Sequence, residues 1–113
     1  MLKADCTAAY NRRVGYRIKL FRELKGLTQM EMATALGYKS TGSLSLIEQG
    51  ERGLNKTKLS QAATLLDTYP EVLNTESDLT REELIDLDKF LHIRTNTKHP
   101  QHKLLMQFIH KLK

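Results

Sequence analysis

Cysteine is almost missing from this chain: Cys6 is the only one in 113 residues. An intrachain disulfide is excluded and a tetrahedral thiolate zinc site is out of reach; such usage suits a reducing cytosol. Tryptophan is absent, and the aromatic set is four Tyr and three Phe. Valine occurs only at Val14 and Val72, and the apolar pool is mostly Leu, Ile, Met and Ala. With β-branched residues sparse outside Thr, an all-α fold is favoured over a sheet. No run approaches the roughly 18 apolar residues of a membrane span, so no membrane partner is expected. The opening MLKADCTAAY places Lys3 and Asp5 before any apolar run can form, which makes a poor signal peptide and makes Cys6 a poor lipidation site. A Gly-rich phosphate loop, a nucleophile elbow and a His-Glu-x-x-His pattern are all missing. Neither catalysis nor a cofactor is expected. His99 and His102 stand three apart, but Pro100 separates them and no Cys is near, so His92, His99, His102 and His110 are not read as a metal site.

What is present is ordinary globular composition, 40% hydrophobic and 27% charged, at a length that fits one domain or a small domain with an extension. The net charge of +5 is uneven. Residues 11–25, NRRVGYRIKLFRELK, carry six basic residues against one acid, and residues 94–113 carry five basic residues and no acid. Basic clusters of this kind suit an anionic partner, although a solvated helix face reads the same way.

Local signals divide the chain into short helices. Residues 1–10 read as a loose arm, after which Asn11 can cap a helix over about 12–25. Its apolar positions Val14, Ile18, Phe21 and Leu24 recur every three or four residues, and Gly26 stops it. Thr28 and Glu31 form a capping box for a second helix, Gln29 to Leu36, with Met32, Ala33 and Leu36 facing inward and Gly37 ending it. Ser40 or Thr41 caps a third helix, with Leu44 and Ile47 inward, that ends at Gly50. Asn55 or Thr57 caps a fourth that reaches about Tyr69, and Pro70 opens a short turn of helix, PEVL. NTESD is a polar linker. Thr80 and Glu83 form a second capping box before a helix with Leu84, Leu87 and Leu91 on one side, and a last helix is expected over about 101–112.

Helices as short as the second and third are marginal alone. They persist by packing on each other across a tight turn, and Ala33 is small enough to let them cross closely. The run RIKLFRELKGLTQMEMATALGYKSTGSLSLIEQGER resembles the Cro/repressor-type (XRE) helix-turn-helix family, through Arg22, GLTQ, Ala33, LG, IEQG and the following apolar helix pair; the likeness extends over about residues 15–73. The resemblance implies a five-helix repressor-like domain and a partner in double-stranded DNA. It implies that Gln29 contacts a backbone phosphate, that Ser40, Thr41, Gly42, Ser43 and Leu46 form the recognition edge, and that Arg22 and Glu48 form a structural salt bridge. Lys39, Arg52, Lys56 and Lys58 flank the third helix, where phosphates pass. That edge lacks Gln, Asn and Arg, the side chains with good bidentate base contacts, so base readout is thin and DNA shape supplies part of the specificity.

The domain expectation is therefore residues 11–74 for DNA binding and residues 79–113 for a C-terminal helical hairpin. The hairpin is too small to bury much alone. Leu84, Leu87, Leu91, Leu105, Phe108, Ile109 and Leu112 are expected to dimerise it, as repressors of this kind bind two half-sites of a palindromic operator as homodimers. Docking on its own domain, or capture of another protein through the hairpin, are the alternatives. The functional expectation is a cytoplasmic, nucleoid-associated transcriptional regulator, most naturally a repressor. An antitoxin of the same fold, or an adaptor that has lost DNA readout, are the competing readings.

Overall fold

The computed structural model describes residues 3–95, with side chains described over residues 7–94. Among these the chain forms only helices: α1 Lys3–Leu24, α2 Gln29–Ala35, α3 Thr41–Glu48, α4 Lys56–Leu65, α5 Pro70–Asn74 and α6 Arg81–Thr95. The chain divides into two compact units, Met1–Ser77 and Asp78–Lys113. The expected last helix, with Leu105, Phe108, Ile109 and Leu112, lies outside the described residues, as do His99, His102 and His110.

In the first unit the helices begin at capping side chains. Thr28 and Glu31 exchange both bonds of the capping box at 3.0 and 3.1 Å. Those contacts, from the Thr28 backbone N–H and then its hydroxyl, hold the Glu31 carboxyl below its ordinary range. Ser40, of the two candidates, caps α3 by accepting from the Gly42 N–H, and Asn55 caps α4 by accepting from the Lys58 N–H at 2.8 Å. α1 to α4 all end the same way. Each last turn closes with a six-to-one and a five-to-two backbone bond around a left-handed residue: Gly26, Gly37, Gly50 and Asp67. Asp67, at φ 53°, ends α4 at Leu65, four residues short of the expected stop at Tyr69. Aspartate is one of the few side chains that tolerate this conformation.

The start of α1 differs from expectation. No helix begins at Asn11; α1 already runs from Lys3, and residues 1–10 are not a loose arm over their described part. The Asn11 side chain instead lies beside Gly53, whose Cβ, if present, would stand 2.9 Å from the Asn11 Oδ1. Leu24, expected inward, is 47% exposed, whereas Leu20 and Arg17 are buried. Val14, Ile18 and Phe21 face the core as their spacing predicts, with Met32, Ala33, Leu44, Ile47 and the inner positions of α4 and α5. α1 packs on α3 and α5, α2 on α3, and α4 on α5.

Three features of α1 fix α3 and the end of the unit. Gly15 sits where α1 meets α3, and a Cβ there would lie 2.1 Å from the Ile47 carbonyl oxygen. A helix-interior glycine costs roughly 1 kcal/mol relative to Ala; here it permits backbone contact between two helices. About two turns further, the Arg22 guanidinium grips Glu48 through Nε–Oε2 at 2.6 Å and Nη2–Oε1 at 3.1 Å, and its Nη1 donates to the Leu27 carbonyl at 2.9 Å. The bond to Glu48 raises the Arg22 pKa, so the guanidinium stays charged. Arg17, 2% exposed, donates to the carbonyls of Val72 (3.3 Å), Thr75 (2.7 Å) and Ser77 (2.7 Å). A cation at those carbonyls satisfies acceptors that the end of α5 leaves open.

In the second unit, Thr80 and Glu83 close their capping box at 2.9 and 3.1 Å. Leu84 is buried, Leu87 and Leu91 are half-buried, and Phe90 is 37% exposed. His92 lies 3.3 Å from Asp88 one turn earlier.

Gly15→Ala must push α1 from α3, and a loss of about 1–3 kcal/mol or more is expected, read from the denaturant midpoint at unchanged m-value. Arg22→Met leaves a buried carboxylate unpaired and should cost about 3–5 kcal/mol. Pairing it with Glu48→Met removes the stranded charge. Most of the loss should then be recovered, and additive losses in this cycle would contradict the coupling.

Candidate nucleic-acid interface

α3 is presented by what lies behind it. Leu44 and Ile47 are buried, and the side chain of Glu48 is 3% exposed. Glu48 accepts from Arg22 and, at 3.0 Å, from the Gln29 amide. Gln29 is thus half-buried, and its amide in this structure spans α2 and α3. Its backbone remains at the first position of α2, where N–H groups face outward.

The outward row of α3 runs Gly42, Leu46 and Gln49, at i, i+4 and i+7, all exposed. Ser45 lies beside this row, half-buried, and accepts from the Gln49 amide at 2.9 Å. Ser40 is exposed ahead of the helix, while Thr41 and Ser43 are half-buried on its flanks. The row has no acidic member, since Glu48 faces inward. Gly42 is open: a Cβ there would meet only the Ser40 Oγ, at an ordinary 3.5 Å. Gln49, which the reading of the helix front passed over, is the one long amide on this row and can pair with a base edge. Counting seven positions on from Gly42 reveals it.

Four cations flank the row. Lys39, Arg52 and Lys56 are exposed, and Lys58 is half-buried with its ammonium on the Leu36 carbonyl at the end of α2. Arg52 Nη1 donates to the Ser43 hydroxyl at 2.6 Å. Tyr38 lies among them, its ring centroid 5.4 Å from the Arg52 guanidinium carbon and 5.2 Å from the Lys58 ammonium. Nothing in its spacing marks Tyr38; only the meeting of Arg52 and Lys58 on it does.

The basic cluster of residues 11–25 is not one binding patch. Arg17 and Arg22 serve internal carbonyls and Glu48, Lys25 pairs with Asp67 at 3.4 Å, and Arg13 lies 5.7 Å from the Tyr10 ring centroid. Arg12 and Lys19 remain exposed. An open depression of about 590 Å³ lies on the far side of α4, lined by Ala35, Thr57, Ser60, Gln61, Thr64 and Leu65, without an ionisable side chain. Among the described residues no group of three or more His, Cys, Asp or Glu is placed to hold a metal, and no helix is long and apolar enough to cross a membrane.

A family model described as a helix-turn-helix domain matches residues 13–76, more than half of the chain. No curated protein and no solved structure matches it. The matched span opens on α1 and closes just after α5, so it takes in the whole of α2, the turn and α3. Domains of this family bind DNA and are typically non-enzymatic. The buried back and bare outward row of α3, the tight turn before it and the family match agree, and the chain belongs to the XRE-like helix-turn-helix family.

Proposed function

We propose that this chain is a sequence-specific transcriptional regulator that represses by occupying a palindromic operator as a homodimer. The observation that carries the reading is the outward row of α3, free of acid and headed by a glycine, between flanks that carry Lys39, Arg52, Lys56 and Lys58. A neutral row between basic flanks suits a duplex, whose phosphates border a groove of uncharged base edges. Gly42, Leu46, Ser45 and Gln49 enter the major groove, with Ser40 and Thr41 at its mouth. Leu46 suits a thymine methyl and Gln49 an adenine. The exposed cations, with the backbone N–H groups at the start of α2 beside Gln29, take phosphates and fix the register.

Dimerisation is assigned to residues 79–113. Its support is the apolar side of α6, where Leu87 and Leu91 are half-buried and Phe90 is exposed. Two copies related by a two-fold axis read half-sites about one helical turn apart, roughly 10 base pairs. Occlusion of a promoter by such a dimer needs no chemistry from the protein.

Selection of bound fragments from random duplex DNA tests this reading. A palindromic consensus with that half-site spacing is expected, and a pool that never enriches overturns it. Gly42→Ala has room for its methyl and should leave the fold as stable or up to about 1 kcal/mol more stable. The same methyl stands on the row that meets the bases, so affinity for the enriched duplex should fall at least tenfold by titration. An unchanged affinity places the bases elsewhere. Leu87→Asp with Leu91→Asp in the full chain should sediment as a monomer at concentrations where the unsubstituted chain is a dimer.

A further inference from the structure

Ser43 and Tyr38 make contacts that the reading of α3 as a base reader does not use. The Ser43 hydroxyl is turned to the flank and accepts from Arg52 at 2.6 Å, one position off the outward row. Arg52 comes from the segment joining α3 and α4 and Lys58 from the first turn of α4, yet both cations lie over the one ring of Tyr38, at 5.4 and 5.2 Å. Among the described residues neither forms an ion pair with a carboxylate. Two like charges gathered on one ring repel, and the quadrupole of an aromatic face offsets only part of that. The arrangement is completed by an anion, and an oxyanion with several acceptor atoms can take both cations at once. The second lock on each cation, the Ser43 hydroxyl for Arg52 and the Leu36 carbonyl for Lys58, restricts its rotamers before any ligand arrives.

We infer that Tyr38 and Ser43 are positioning residues that hold Arg52 and Lys58 as a prebuilt cradle for one backbone phosphate of duplex DNA, so that Ser43 sets affinity for any duplex and takes no part in choosing bases. The inference rests on the duplex-binding reading above and gives Ser43, which the sequence resemblance places on the recognition edge, a different task.

Anisotropy titrations of the full chain test it. Two labelled duplexes are used, a random-sequence pool and the sequence enriched by selection, each over a salt series. Ser43→Ala and Tyr38→Leu should each weaken both duplexes by the same factor, about two- to fivefold. The slope of log affinity against log salt should flatten by up to about 0.9, the contribution of one phosphate. Tyr38→Phe keeps the ring face and should stay within about twofold of the unsubstituted chain. In an Arg52→Ala background, Ser43→Ala should have no further effect. Loss confined to the enriched duplex in Ser43→Ala, or full additivity with Arg52→Ala, overturns the inference while leaving duplex binding intact. Should Tyr38→Leu fail to fold by circular dichroism, the Ser43/Arg52 cycle decides alone. Absence of binding to either duplex by the unsubstituted chain at low salt removes the duplex-binding reading, and the cradle with it.

Discussion

The Glu48 carboxylate, 3% exposed, gathers the first unit around the back of α3. It accepts two bonds from Arg22 on α1 and one from Gln29 at the start of α2, while Arg22 also reaches the Leu27 carbonyl between those helices. One ionised group therefore sets the position of α3 against both partners. A buried carboxylate without these donors would be strongly unfavourable, so each donor is constrained to stay. Gly15 enforces the same closeness by steric means, because α1 approaches the Ile47 carbonyl too nearly for any Cβ. Charge and the absence of a side chain act together at one helix crossing.

A helix held so firmly from behind can be bare in front. Eight residues are too few to make a stable helix by propensity, and Gly42 near its start weakens the propensity further. Packing by Leu44 and Ile47, the Ser40 cap and the Gly50 stop supply what propensity does not. The exposed row is then free to carry residues unsuited to a protein core but suited to a groove. The Arg17 contacts with Val72, Thr75 and Ser77 do the corresponding work from the same stretch of α1, by tying down the last turn of α5.

The distribution of basic residues follows from these demands. Half of the cationic appearance of residues 11–25 is consumed inside the unit by Arg17, Arg22 and Lys25. The cations left exposed concentrate around α3 and its following loop, where Tyr38 draws Arg52 and Lys58 together. Net charge therefore overstates what residues 11–25 can offer an anionic partner. An arginine that caps carbonyls and one that meets phosphate are the same letter.

By itself, the sequence determined the helical class, the caps at Thr28 and Thr80, the glycine stops at Gly26, Gly37 and Gly50, and the inward stripes of α2 and α3. These signals act within a turn of helix, through a side chain and backbone groups a few residues away, so they can be read one segment at a time. Tertiary structure alone decided that α1 continues through Asn11, that Leu24 faces outward while Arg17 goes in, and that Asp67 rather than Tyr69 ends α4. It also turned Ser43 toward Arg52 and brought Tyr38 beneath two cations. The burial and pairing among these outcomes involve neighbours from other segments: Gly53 beside Asn11, the α5 carbonyls around Arg17, Arg52 and Lys58 over Tyr38. Periodicity carries no information about which distant group will arrive to meet a side chain, and that arrival is what fixes burial and charge pairing.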